Sequence, residues 1–160
     1  MVAQAKLASE PESEREYVVT RVFNAPPRLL FAAWSKPEHI KQWFGPAGYP
    51  VTMAEIDFRV GGKWRFAMTG PSGKQNTPFG GEYLAIVPNR KISFSNSFEA
   101  PGAPMMVMTV TFEENDGKTT MTWRTLFESI AMRKSYLGQG MAEGGNSALG
   151  QLADLLEAMR

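Results

Sequence analysis

The sequence predicts an α+β fold, and three observations carry that prediction. Residues 22–46, VFNAPPRLLFAAWSKPEHIKQWFGP, read as an extended lead-in, two short apolar helices and a Trp-Phe-Gly-Pro stop. The middle of the chain alternates apolar and polar residues in short runs divided by Gly/Pro turns, the period of antiparallel strands buried on one face. The C-terminal segment then repeats apolar residues at helical spacing. Two helices so short cannot bury their faces alone, so the strands must supply the surface that holds them.

Taken in order, residues 1–14 are rich in Ala, Ser, Glu and Gln and are expected to form a disordered tail before a single domain over 15–160. They lack the basic-then-apolar order of a signal peptide. Pro26-Pro27 opens the first helix. Ser35 and Glu38 match a capping box for the second, with Pro37 tolerated in its first turn. About seven strands are expected in all. Asp116-Gly117 predicts a two-residue type I′ turn, which fixes a hairpin register of Phe112 opposite Met121, Val110 opposite Trp123, Met108 opposite Thr125 and Met106 opposite Phe127. Ile92, Phe94, Asn96 and Phe98 alternate with serines, and Trp64, Phe66 and Met68 form a third inward row after the Gly61-Gly62 bend. Residues 79–87 are apolar on both faces, so their parity stays open. Residues 70–78 and 100–104 are Gly/Pro-rich loops.

The last helix is expected from about Gly138 to Met159, with Gly138, Ala142, Gly145, Leu149, Leu152 and Leu156 on one face. Its first half is nearly bare of side chains. Glycine costs a helix about 1 kcal/mol against alanine, so Gly138 and Gly145 on a buried face need a reason. One reading is room for a guest between helix and sheet; the other is close contact with large Trp and Met side chains opposite. Gly140, Gly144 and Gly150 weaken the helix further and allow a later start or a kink. The first reading predicts a cavity lined by Trp64, Phe66, Phe94, Met108, Val110, Trp123, Gly145 and Leu149. Asn96 and Thr125 point inward from the sheet, and Asn146 flanks the apolar helix face. Each must bond a ligand's polar group, or else backbone, a neighbour or a trapped water.

Composition narrows the chemistry. With 17 basic and 16 acidic side chains in 160 residues there is no electrostatic footprint for nucleic acid or an anionic membrane. No run approaches the ~20 apolar residues of a membrane-spanning helix. Zero cysteines remove disulfides, thiol nucleophiles and thiolate metal sites, and fit a cytoplasmic location. His39 is the only histidine and sits in a short helix, so no metal site is expected. Gly70-Pro71-Ser72-Gly73 lacks the G-K-[ST] element of a phosphate loop, and no cofactor is expected. Asp57 and Arg59 read as a structural pair before the glycine bend. Asp57 and Glu82 remain the only carboxylates offered as weak catalytic candidates. Met105, Met106 and Met108, among ten methionines, read as flexible core filler that can also line an adaptable cavity.

Several motifs then fall into one pattern: F-x-A-P at Phe23 to Pro26, A-W-x-x-P-E at Ala33 to Glu38, W-F-G-P at Trp43 to Pro46 and D-x-R-x-G-G at Asp57 to Gly62. The pattern continues with M-x-G-P-x-G at Met68 to Gly73, G-x-Y at Gly81 to Tyr83 and V-T-F at Val110 to Phe112. Together they resemble the SRPBCC (START-like) superfamily, within it the branch named after the activator of Hsp90 ATPase, over roughly Tyr17 to Met159. The resemblance implies a helix-grip fold: a curved antiparallel sheet wrapped around the last helix, two short helices after the first strand, and a ligand cavity inside. Gly145-Asn146 replaces a Trp common in that family, which implies a larger or more polar pocket. Relatives include lipid carriers, polyketide cyclases and co-chaperone domains, so the family alone does not name a reaction. Binding of a small hydrophobic molecule, as carrier or sensor, ranks first. A polyketide-cyclase-like enzyme using the same cavity ranks second, and an Hsp90 co-chaperone-like interaction domain last. A homodimer stays open.

Overall fold

The computed structural model describes residues 10–160. After a turn of 3-10 helix at Glu12–Glu14 the order is β1 (Glu16–Phe23), α1 (Pro27–Ser35), α2 (Pro37–Trp43), β2 (Val51–Ile56), β3 (Lys63–Met68) and β4 (Phe79–Val87). Then follow β5 (Lys91–Phe98), β6 (Met106–Asn115), β7 (Lys118–Leu126), α3 (Ile130–Gly138) and α4 (Met141–Met159). The strands form one curved antiparallel sheet in the order β1-β7-β6-β5-β4-β3-β2. The two short helices therefore carry the chain from one edge strand to the opposite edge. They pack against α4, and all three helices share one apolar core with the inner face of the sheet.

The β6–β7 hairpin has the register set by its turn. Phe112 faces Met121, Val110 faces Trp123 and Met108 faces Thr125, while Asp116 and Gly117 take the positive φ values, 53° and 79°, that a type I′ turn demands. On β5, Ile92, Phe94 and Asn96 face inward. The serines between them are also covered: Ser93 bonds Thr109 at 3.2 Å, and Ser95 Oγ accepts from Glu82 N at 3.0 Å. The ambiguous parity of β4 has a physical cause. Tyr83 pairs with Phe94 and Ala85 with Ser93, so a bulge inserts Leu84 and switches which residues face the core. Phe79 and Tyr83 are buried before the bulge, and Ile86 packs on the core after it.

Three expectations need correction. The capping box does not form: Pro37 takes the first helical position of α2 and holds Lys36 extended (φ −112°, ψ 130°) as the cap residue. Ser35 is thus one residue too early, and its hydroxyl donates back to Ala32 O at 3.4 Å. The C-terminal helix is split, because Gly140 at φ 93° breaks it into α3 and α4 and leaves Gly138 outside the long helix. The tail expected over 1–14 lies outside the described residues only up to residue 9. Glu10 Oε2 accepts from Ile130 N at 3.0 Å, and Arg15 donates to Glu10 O at 3.1 Å and to Phe127 O at 2.9 Å, so residues 10–15 tie the end of β7 to the start of α3.

The deep end of the core is aromatic. Trp34 of α1 stands edge-on to Trp43 at 4.8 Å and to Trp123 at 4.9 Å, and Trp43 donates its Nε1–H to Ala33 O at 2.9 Å. Thr119 is fully buried and donates to Ala25 O at 2.7 Å, fastening the entry of α1 to the sheet. Thr119→Val removes that donor and leaves a buried carbonyl short of a partner. The denaturation midpoint should fall by an amount equivalent to about 1–3 kcal/mol, with an unchanged denaturant slope.

Burial pushes the Tyr83 phenol well above its ordinary range, and Tyr136 moves the same way by burial and then by the nearby Glu128 charge. Below about pH 10 the phenols are protonated in folded and unfolded chains alike, and their contribution to stability is fully present. Above that, the unfolded chain loses protons that the folded chain keeps, so stability should fall as pH climbs toward the folded values. Equilibrium denaturation across this alkaline range should show a shallower decline in Tyr83→Phe.

Candidate ligand cavity

A cavity of about 360 Å³ lies between the sheet and the first half of α4. Its floor comes from Tyr17 and Val19 of β1, Thr125 and Trp123 of β7, Met106 and Met108 of β6, Asn96 of β5 and Phe79 of β4. Its roof is Gly144, Gly145, Ala148 and Leu149. Pro46, Asn76, Thr77, Phe98, Tyr136 and Met141 surround the rest, with Phe98 still 42% exposed at the rim. The glycine question is answered by geometry: a Cβ built on Gly145 meets nothing within 4 Å. The residue is bare toward space, and no bulky side chain presses against it.

Six of the residues expected to line a ligand site meet here: Asn96, Met108, Trp123, Thr125, Gly145 and Leu149. Trp64, Phe66 and Phe94 do not. They surround a separate void of only about 10 Å³, room for about one water, together with Trp34, Ile40, Phe44 and Tyr83. Phe44 lines both spaces and forms the partition between them, 5.4 Å from the Phe66 ring and 6.2 Å from Trp123. Val110 is fully buried in solid core. The physical reason is that α1 and α2 push Trp34, Trp43 and Phe44 into the deep end of the grip, so the sheet there meets side chains. Asn146 is exposed, and its Oδ1 accepts from Arg21 at 3.5 Å, so it turns away from the cavity.

The catalytic candidates also lie elsewhere. Asp57 follows the end of β2 and receives both of its bonds from Arg59 Nε, at 2.9 and 3.1 Å, with both side chains more than half exposed. Glu82 accepts from Lys63 at 3.0 Å. Both carboxylates line a hollow of about 620 Å³ on the outer face of the sheet, beside the bidentate Arg65–Glu99 pair at 2.5 and 2.9 Å. The Arg65 guanidinium holds the Glu99 carboxyl below its ordinary range, and Glu99 in turn raises Arg65. This outer hollow is larger than the inner cavity, yet its charges are mutually paired and in water, where such pairs contribute little. His39 is half-buried on α2, away from both spaces.

Inside the cavity the lining carries no Asp, Glu, Lys, Arg or His, and its titratable groups are the phenols of Tyr17 and Tyr136. Among the described residues no three His, Asp or Glu side chains cluster as a metal site would require. The lining residues that sequence reasoning missed include Tyr17, Val19, Phe44, Phe79, Gly144, Ala148 and the rim. On β1 the alternation that could have revealed Tyr17 and Val19 is masked, because outward Val18 and Val22 are also apolar. No helix among the described residues is long and apolar enough to cross a membrane.

Solved structures of the same fold are numerous. A crystal structure of a Mycobacterium smegmatis protein is 27% identical, with a TM-score of 0.82 over 95% of this chain and 97% of that one. A Staphylococcus epidermidis protein solved by NMR is 29% identical, with a TM-score of 0.77 over 95% of each chain. A Nitrosomonas europaea protein reaches 0.84 over 93% of this chain and 98% of its own, at 22% identity, and so speaks to the fold alone. No curated protein matches the chain. The model of the Activator of Hsp90 ATPase homolog 1-like protein family matches residues 24–157, nearly the whole of the described fold. The chain, with its curved seven-stranded sheet and its C-terminal helix, belongs to that family.

Proposed function

We propose that the protein binds a small hydrophobic molecule in the cavity between sheet and α4, as a carrier or sensor. The observation that carries this reading is Gly145, which faces open space where the later turns of the helix, at Leu152 and Leu156, are packed in core. The volume of about 360 Å³ falls in the range of small-ligand sites, ~300–1,000 Å³. Met106, Met108, Met68 and Met141 give the wall a soft, adaptable surface. A cyclase using the same cavity would want a carboxylate or imidazole facing the substrate. The two carboxylates once considered for it sit on the outer face of the sheet instead.

A Cβ at Gly145 meets nothing within 4 Å, so Gly145→Leu extends from the roof into the space. The variant should keep its circular dichroism spectrum, gain about 1–2 kcal/mol from helix propensity and void filling, and lose binding of an environment-sensitive apolar dye. Unchanged dye binding in that folded variant would refute the site. Native mass spectrometry of the protein from its own host should show a retained mass that the variant lacks.

A further inference from the structure

Two residues that line this cavity carry buried polar atoms that the protein itself leaves without a partner. Asn96 is 8% exposed; its Nδ2 meets only the sulfur of Met108, at 3.9 Å, and its Oδ1 has no hydrogen-bond partner. Trp123 lines the same cavity, and its buried indole Nε1 is also unpartnered. Leaving a buried donor or acceptor without a partner is unfavourable, and the large majority of such groups in folded proteins find one. The register separates the two. Asn96 pairs with Met106, and Trp123 with Val110, four residues further along β6; the pair Met108 and Thr125 lies between them. The wall therefore carries an amide and an indole some four residues apart, with the Met108 thioether and the Thr125 hydroxyl between them.

Charge decides the rest. No cationic side chain lines the cavity, so nothing in the wall could neutralise a buried anion. The donors in the lining, among them those of Trp123, Thr125, Tyr17, Tyr136, Asn76 and Thr77, are all neutral, and a carboxylate buried among them without a cation keeps most of its desolvation cost. Resting on the reading of the cavity as a guest site, we propose that the guest is an uncharged, elongated apolar molecule. It carries a hydroxyl or amide N–H that donates to Asn96 Oδ1, and anionic amphiphiles of the same length are selected against.

The test is displacement of a bound apolar dye near neutral pH by three probes of one chain length: decan-1-ol, its methyl ether and decanoate. The alcohol should displace the dye at a concentration at least about tenfold below that of the ether or the carboxylate, tenfold being ~1.4 kcal/mol. In Asn96→Leu the dye should still bind, while the advantage of the alcohol over the ether disappears. Equal displacement by the ether or by decanoate on the native chain overturns the proposal, even if the Asn96 variant fails to fold. Failure of the dye itself to bind removes instead the reading of the cavity as a guest site.

Discussion

The joint on which the interior depends is made by Gln151 of α4, whose Nε2–H₂ donates to Trp43 O at 3.2 Å and to Gly45 O at 2.5 Å. Carbonyls at a helix C-terminus have no partner within the helix, and here a side chain from the far end of the sequence supplies one. The bond seats α2 under α4, so Trp43 and Phe44 enter the grip from one side while Leu149, Leu152 and Leu156 close it from the other. Gly45 makes the seat possible. A Cβ at that position would lie 2.0 Å from Tyr49 O, so no other residue lets the chain turn back this tightly after the aromatic pair. The filled deep half and the hollow outer half of the core both follow from where this joint places Phe44.

That division is a matter of supply. The short helices deliver Trp34, Trp43 and Phe44 to one end of the sheet, where Phe44 stands edge-on to Phe66 at 5.4 Å and Trp34 lies tilted 6.3 Å from Phe94, which itself meets Trp64 edge-on at 5.3 Å. Nothing comparable is delivered to the other end. There the helix offers Gly144, Gly145 and Ala148, and the opposing strands offer Met106, Met108 and Thr125. One sheet face thus serves as ordinary core along half its length and as the wall of a cavity along the rest.

How much of this could be read in the sequence depended on whether local chemistry fixed the answer. The hairpin register was legible because Asp116-Gly117 leaves only one loop length and twist, and every cross-strand pair follows from it. The bare face of α4 was legible because glycine at helical spacing has an energetic cost that calls for a cause. The capping box failed because Pro37 constrains the backbone before it more strongly than Ser35 can cap it. The parity of β4 was hidden by its bulge, a feature of pairing with β5 that no single strand's pattern contains. The assignment of Trp64, Phe66, Phe94 and Val110 to the cavity failed for the same kind of reason. Their inward direction was right, but Trp64, Phe66 and Phe94 meet Phe44, delivered from the end of α2, and Val110 is enclosed in packed core.

The space beside Gly145 also bears on how the chain folds. A helix whose roof position faces emptiness has left part of its core unsupplied, and whatever occupies that volume becomes core on loan. A guest that binds the folded chain and not the unfolded one makes occupancy and folding a single equilibrium. It adds about 2.7 kcal/mol to stability at a hundredfold excess over its dissociation constant. On the proposed reading, a guest in the hollow half would tie the chain's lifetime in the folded state to the concentration of a small molecule around it.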